Sequence, residues 1–227
     1  MESVDLNAVD VRALNQRLQR RCGNAAETLF EVLNPMGRHA LAVGLMHTVE
    51  VRIRGHAGYY CAGMNERARV VVEGNVGVGV AENMMSGSVR VRGDASQSAG
   101  ATAHGGLLVI EGEASARCGI SLKGADIVVG GSVGHMSAFM AQAGRLVVCG
   151  DAGANLGDSI YEAELYVRGA VESLGADCEE QELTAAHRAG LRVLLDRAGI
   201  EADAGAFRRY GSARRLYHFR VDHAGSY

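Results

Sequence analysis

The sequence contains a single proline, no tryptophan and few aromatic residues, 5% in all. So little proline beside 31 glycines excludes a collagen-like chain and argues against a disordered linker. The five cysteines, Cys22, Cys61, Cys118, Cys149 and Cys178, form no CxxC pair, and no iron–sulfur spacing is present. No long apolar run and no basic-plus-apolar leader occur, so a reducing cytoplasm is the expected compartment. A net charge of −3 supplies no bulk attraction for nucleic acid or an anionic membrane.

A phosphate loop is also missing, although "RVVVEGNVGVGV" (69–80) starts like one. A dinucleotide site needs a helix directly after the glycines. Here "VAENMMSG" follows and the next strand begins at once. There is no GK[ST] either.

What the chain does contain is a repeat. "VRIRG", "VVVEG", "VRVRG", "LVIEG", "IVVGG", "LVVCG" and "LYVRG" end at Gly55, Gly74, Gly93, Gly112, Gly131, Gly150 and Gly169, with one constant step and no insertion or deletion. Two and four residues before each glycine the side chain is aliphatic throughout, as Ile53 and Val51 show in the first repeat. That period of two turns one strand face inward in every repeat. One strand per repeat at a rigid period predicts an all-β solenoid, a right-handed parallel β-helix of about seven 19-residue coils. The column glycines then mark a shared corner where a Cβ would meet the neighbouring coil. Further along each repeat, Ala68, Gly87, Gly106, Ala125, Gly144 and Ala163 suit a second tight corner.

The other strand columns describe the outer surface. Arg54, Glu73, Arg92 and Glu111 alternate in sign and predict a solvent-facing ladder, each pair contributing about 0–1 kcal/mol. Three before the glycine stand Arg52, Val71, Arg90, Val109, Val128, Val147 and Tyr166. From Val109 onward both strand faces are apolar, so the outer one must be covered by the chain's own helices or by another subunit.

The repeat divides the chain into a lead-in (1–47), the β-helix (48–175) and a C-terminal segment (176–227). Asp10 caps a short helix in the first, which Gly23 ends. In the last, Thr184 caps a helix with Leu191, Leu194, Leu195 and Ala198 on one face, closed by Gly199 and Ile200 as in a Schellman motif. The tail "FRRYGSARRLYHFRV" is basic and aromatic. It either packs on its own solenoid or docks a partner chain.

Catalytic and metal readings find weak support. Cys61 and Cys118 share a column three coils apart, about 14 Å, too far for one disulfide or one metal. His47, His56, His104 and His135 fall in different columns or distant coils, so no zinc site is expected. Asp94 and Glu113 are neighbours in the column after the glycine, a pairing that a carbohydrate-cleaving β-helix could use. The constant coils and missing tryptophan favour a solvated turn instead. Arg117, Lys123, Asp158 and Glu162 project near corners, as turn chemistry or partner contacts.

The coils "VEGNVGVGVAENMMSGSVRVRGDAS" and "VVGGSVGHMSAFMAQAGRLVVCGDAGANLGDS" resemble the GXGXG β-helix domain. That domain closes the large subunit of glutamate synthase and forms the C subunit of formylmethanofuran dehydrogenase. The phrases "ENMMSG", "GHMSAFMAQAG", "CGDAGANLGDSIYEA", "SLGADC" and "YGSARRLYHF" are most similar to the stand-alone glutamate-synthase domain-3 proteins, among them the B subunits of N-methylglutamate synthases. The resemblance implies a scaffold without catalytic residues, cofactor or metal of its own. Its expected partners are a class II glutamine amidotransferase-like subunit and an FMN- and iron–sulfur-containing synthase-like subunit, in a hetero-oligomer. The expected docking residues are Val109, Val128 and Val147 on the apolar column, with Arg214, Arg215, Tyr217 and Phe219 in the tail. Two other readings stay open: the C subunit of a formylmethanofuran dehydrogenase or formyltransferase/hydrolase complex, and a carbohydrate-active β-helix enzyme.

Overall fold

The computed structural model describes residues 1–20 and 29–215. Among these, eleven strands form one sheet. The repeat strands are β3 (Glu50–Ile53), β4 (Arg69–Val72), β5 (Ser88–Val91), β6 (Leu107–Ile110), β7 (Lys123–Val129), β8 (Ala143–Val148) and β9 (Glu164–Val167). They stack in parallel with equivalent columns opposed, Val51 on Val70 and Val70 on Val89. The chain is thus a parallel β-solenoid of about seven turns. Its inward columns are wholly buried: Ile53, Val72, Ile110 and Val129 expose nothing. Alternation of the pleat buries one column at every turn, so the core runs unbroken along the stack.

After each corner glycine a second line of parallel bridges runs through Ala57, Val76, Ala95, Ala114, Val133, Ala152 and Val171. The chain then turns through a segment that alternates hand. Tyr60, Ala62 and Met64 have φ of 60°, 56° and 53°, and Gly79, Ala81 and Asn83 repeat this at 74°, 56° and 55°. The alternation sends successive amides to opposite neighbours. Ala81 N–H donates back to Cys61 O at 2.9 Å and Asn83 N–H donates forward to Ala101 O at 2.9 Å. Left-handed backbone at a non-glycine residue costs about 1–2 kcal/mol, and the inter-coil hydrogen bonds that it permits offset this cost.

The sheet extends beyond the repeat at both ends. β1 (Glu2–Asp5) and β2 (Leu29–Leu33) add two parallel strands ahead of β3. Strands β1 and β2 of the lead-in therefore belong to the same sheet as the repeat. The step from Phe30 to its partner Val51 is longer than the constant step of the repeat, which hides this coil from a search at that period. Helix α1 (Val11–Gln19) is capped by Asp10 and buries Leu14 and Leu18 in the same core. Its predicted terminator Gly23 lies outside the described residues. At the other end β10 (Cys178–Gln181) and β11 (Arg208–Ser212) close the stack antiparallel, in the order β9-β11-β10. The first part of the basic tail is therefore a strand of its own sheet.

Helix α2 (Ala185–Ala198) starts at the Thr184 cap, boxed by His187, and stops at left-handed Gly199 with Ile200 N–H donating to Leu195 O at 3.1 Å. Its face of Leu191, Leu194, Leu195 and Ala198, with Phe207, packs on Val109, Val128, Val147 and Tyr166 as a second core outside the sheet. This corrects the docking expectation. Val109, Val128 and Val147 are at most 2% exposed, because the chain supplies its own cover and no apolar strip is left there for a partner.

Candidate functional site

The glycine corner is built from two columns. None of the corner glycines after Gly55 requires positive φ; each is excluded from having a side chain by the preceding coil. A Cβ on Gly150 would lie 2.5 Å from Ser132 Oγ and 2.7 Å from the Gly131 carbonyl carbon. Gly74, Gly93, Gly112, Gly131 and Gly169 meet the corner backbone of the preceding coil in the same way. Gly55, at φ 134°, packs instead on Pro35.

The space above each corner is filled by the residue just after the previous glycine; Glu113 fills it with its Cγ, and at the five other corners the side chain accepts from the next coil. Asn75 N–H donates to His56 Nδ1 at 3.0 Å and Asp94 N–H to Asn75 Oδ1 at 3.0 Å. Glu113 N–H donates to Asp94 Oδ1 at 2.9 Å, Asp151 N–H to Ser132 Oγ at 3.0 Å and Ala170 N–H to Asp151 Oδ1 at 2.7 Å. Asp94 is thus engaged by the backbone of the residue that was its supposed acid–base partner. His56 likewise serves as a backbone acceptor. The sequence signal was available: His56, Asn75, Asp94, Ser132 and Asp151 each carry a lone pair close to the backbone, one full repeat from the donor.

The outer ladder divides into two groups of ion pairs, and Arg52 also reaches Glu73 at 3.7 Å in the first. Arg54 reaches Glu31 and, at 3.8 Å, Glu73, while Glu111 holds both Arg90 and Arg92 at 2.7 Å. Under α2, Arg145 makes a fork on Asp126, with Nε to Oδ1 at 2.7 Å and Nη2 to Oδ2 at 2.8 Å. This hydrogen bonding raises the Arg145 pKa against the opposing effect of burial. The Tyr166 hydroxyl donates to Glu164 at 2.9 Å. Its pKa is raised by burial first and by that bond second.

Cys61 and Cys118 are fully buried thiols, pushed up to about 12 by desolvation. Cys149 is raised by burial against the pull of Arg168, and Cys178 is raised to about 12, mainly by burial. Among the described residues no three His, Cys, Asp or Glu side chains are grouped to hold a metal ion, and no helix is long and apolar enough to cross a membrane.

The other corner residues serve the chain itself. Asp158 accepts from Ser159 Oγ at 2.8 Å and from the amide of Ala176 at 3.3 Å. Glu162 pairs with Arg214 at 2.7 Å on the surface. Arg215 is exposed and its amide donates to Asp177 Oδ1 at 2.8 Å. Tyr217 and Phe219 lie outside the described residues.

Sequence reasoning passed over a surface on the first coils. Met46, Met64 and Met85 are 69%, 48% and 49% exposed. Glu66 N–H donates to Leu45 O and Met85 N–H to Asn65 O, both at 2.8 Å, so the three methionines, at adjacent rather than identical positions of the repeat, lie on the same stretch of three successive coils. Tyr59, stacked on His39 at 4.5 Å between ring centroids, and Met36 are exposed on the same coils. The three methionines stand 18 and 21 residues apart, so none of the 19-residue columns brings them together in the sequence.

These features define a parallel β-solenoid with interlocked corners and a helix covering the apolar outer column from Val109 to Tyr166. No family model matches the chain. It is 54% identical, over an alignment of 228 residues that covers both chains in full, to Protein GlxC of Rhizobium meliloti (strain 1021), and it belongs to the family of that protein.

Proposed function

We propose that the chain is the non-catalytic scaffold subunit of a heteromeric glutamate-synthase-like complex, of the N-methylglutamate synthase type. Such a complex makes N-methyl-L-glutamate and ammonia from methylamine and L-glutamate. In this reading the solenoid holds a class II amidotransferase-like subunit beside an FMN- and iron–sulfur-bearing synthase-like subunit, which carry the cofactors and the chemistry. The GXGXG coils and the phrases around them support the assignment to that type.

The observation that carries the scaffold role is the methionine stretch. Met46, Met64 and Met85 stand exposed on a stack whose coils are locked to one another by backbone and side-chain hydrogen bonds. Exposed apolar side chains gathered on a rigid support are a signature of protein–protein contact, and methionine adapts to varied partner surfaces. Docking therefore moves from the buried valines to this stretch, with Arg214 and Arg215 at the far end as a second contact.

Co-expression with the two candidate partner chains, followed by size-exclusion chromatography, tests the reading. The wild-type chain should elute with both. Met64→Glu with Met85→Glu should release at least one, while Val193→Glu, on the outer side of α2, should not. A double variant that assembles normally, or turnover of methylamine and glutamate by the isolated chain, would reject the proposal.

A further inference from the structure

We propose that the cleft at the C-terminal end of α2 binds a small organic dicarboxylate with a short aliphatic stem. This inference stands independently of the scaffold reading. The cleft has a volume of about 320 Å³ and is walled by Arg69, Val71, Ser88, Arg90, Val109 and Arg197, with Val89 and Leu107 completing it. It opens where α2 ends and the apolar outer column emerges from beneath the helix. Val71 and Val109 are 4% and 2% exposed, so the bottom of the cleft is apolar beneath a polar rim.

The charges around it are unevenly paired. Arg90 is fixed in place: one nitrogen is held by Glu111 at 2.7 Å and the other donates to the Ala198 carbonyl at 2.5 Å. Glu111 is shared with Arg92. Arg197 reaches Asp126 only at 3.5 Å, and both oxygens of that carboxylate already accept from Arg145. Arg69 has no ion pair within 4 Å among the described residues, and Glu50, its strand neighbour, lies 3.8 Å from Arg52. Arg90 and Arg92 therefore share one carboxylate, Glu111, while the two other arginines beside the cleft, Arg69 and Arg197, have no carboxylate of their own among the described residues.

Two guanidinium forks remain underused, one on the sheet and one on the helix. A fork matches a carboxylate with two parallel hydrogen bonds. Placing the two forks on either side of an apolar floor suits a ligand charged at both ends with methylenes between. The volume is at the small end for ligand sites, so a short-chain diacid fits and a nucleotide does not. The Ser88 hydroxyl supplies a neutral donor beside Arg90. Simple solvation of rim arginines does not require such a floor.

The test is calorimetric titration of the full-length chain with glutarate, with inorganic phosphate and acetate as comparators, at physiological salt so that exposed pairs are screened. Glutarate should bind with a sub-millimolar Kd and raise Tm by about 2–5 °C at saturation. Acetate and phosphate should bind at least about tenfold more weakly. Arg69→Gln and Arg197→Gln, on different elements, should each weaken glutarate about tenfold or more without changing the unliganded Tm. Equal binding of phosphate would make the cleft a general oxyanion patch and overturn the dicarboxylate assignment. Absence of glutarate binding up to about 10 mM, or binding unaffected by both substitutions, would overturn the site itself.

Discussion

Asp94 Oδ1 accepts the amide proton of Glu113 at 2.9 Å, across one full coil of 19 residues. The same bond recurs from His56, Asn75, Ser132 and Asp151 to the amides one coil further on. It occupies the volume that a Cβ on the next corner glycine would need. Small corner and polar filler are thus two halves of one device, and neither works without the other.

The device separates a structural carboxylate from a catalytic one. Asp94→Asn keeps an acceptor oxygen and should change Tm by little. Asp94→Ala leaves the Glu113 amide without its protein partner and should cost about 1 kcal/mol, as loss of a helix cap does. Thermal unfolding followed by circular dichroism checks the pair. Equal losses from Asn and Ala would show that the charge, rather than the acceptor, is what matters.

Glycine substitutions should change sign with position. Gly150→Ala drives a methyl group to 2.7 Å from the Gly131 carbonyl carbon, and a stacked backbone has no room to yield. The expected loss is about 1–3 kcal/mol. Gly190 lies within α2, and the nearest atom to its added Cβ is Arg145 Nη1 at 3.9 Å. Gly190→Ala should therefore stabilise the protein by roughly 0.5–1 kcal/mol through helix propensity. Denaturant midpoints of the two variants give the comparison directly.

Much of this architecture is legible in the primary structure because the repeat is rigid. The inward columns, the corner glycines and the caps Thr184 and Gly199 each follow from residue type and spacing. The outermost coils were obscured, because the step from Phe30 to Val51 exceeds the repeat period and α1 interrupts the chain between β1 and β2. The alternating left-handed segment was invisible for another reason. Its positions hold Tyr60, Met64 and Arg117 as readily as glycine, since inter-coil hydrogen bonds, not intrinsic preference, set that backbone. The switch to valine at Val109 announced a covered face. Sequence alone did not say which of two available covers, α2 or a partner, would occupy it.

That ambiguity gives a prediction of its own. Val128 is completely buried between the sheet and α2, so Val128→Asp places an unpaired charge in the second core. The expected consequence is detachment of α2 and a fall of about 3–5 kcal/mol in stability, in the range of an uncompensated buried charge. Leu194→Ala should cost about 2–5 kcal/mol by cavity formation alone. Hydrogen exchange should show α2 amides losing protection in both variants while β3–β5 stay protected. Failure of Val128→Asp to bind a partner would then report a lost helix, not a lost contact.

The buried thiols set the behaviour at high pH. Cys61 and Cys118 are raised from 9.0 to about 12 by desolvation. A folded-state pKa raised above the unfolded one gives stability that is complete below the unfolded value and is lost as pH rises through the folded one. The window here runs from about pH 9 to about 12, and three pH units correspond to about 4 kcal/mol per thiol. Unfolding in alkali should therefore steepen across that window. Cys61→Ala with Cys118→Ala should lower stability at neutral pH by a cavity term but flatten the dependence above pH 9. Urea midpoints measured from pH 7 to pH 11 on both proteins decide the matter. Parallel curves would mean that the thiols titrate alike in the folded and unfolded chain, against the burial seen at both positions.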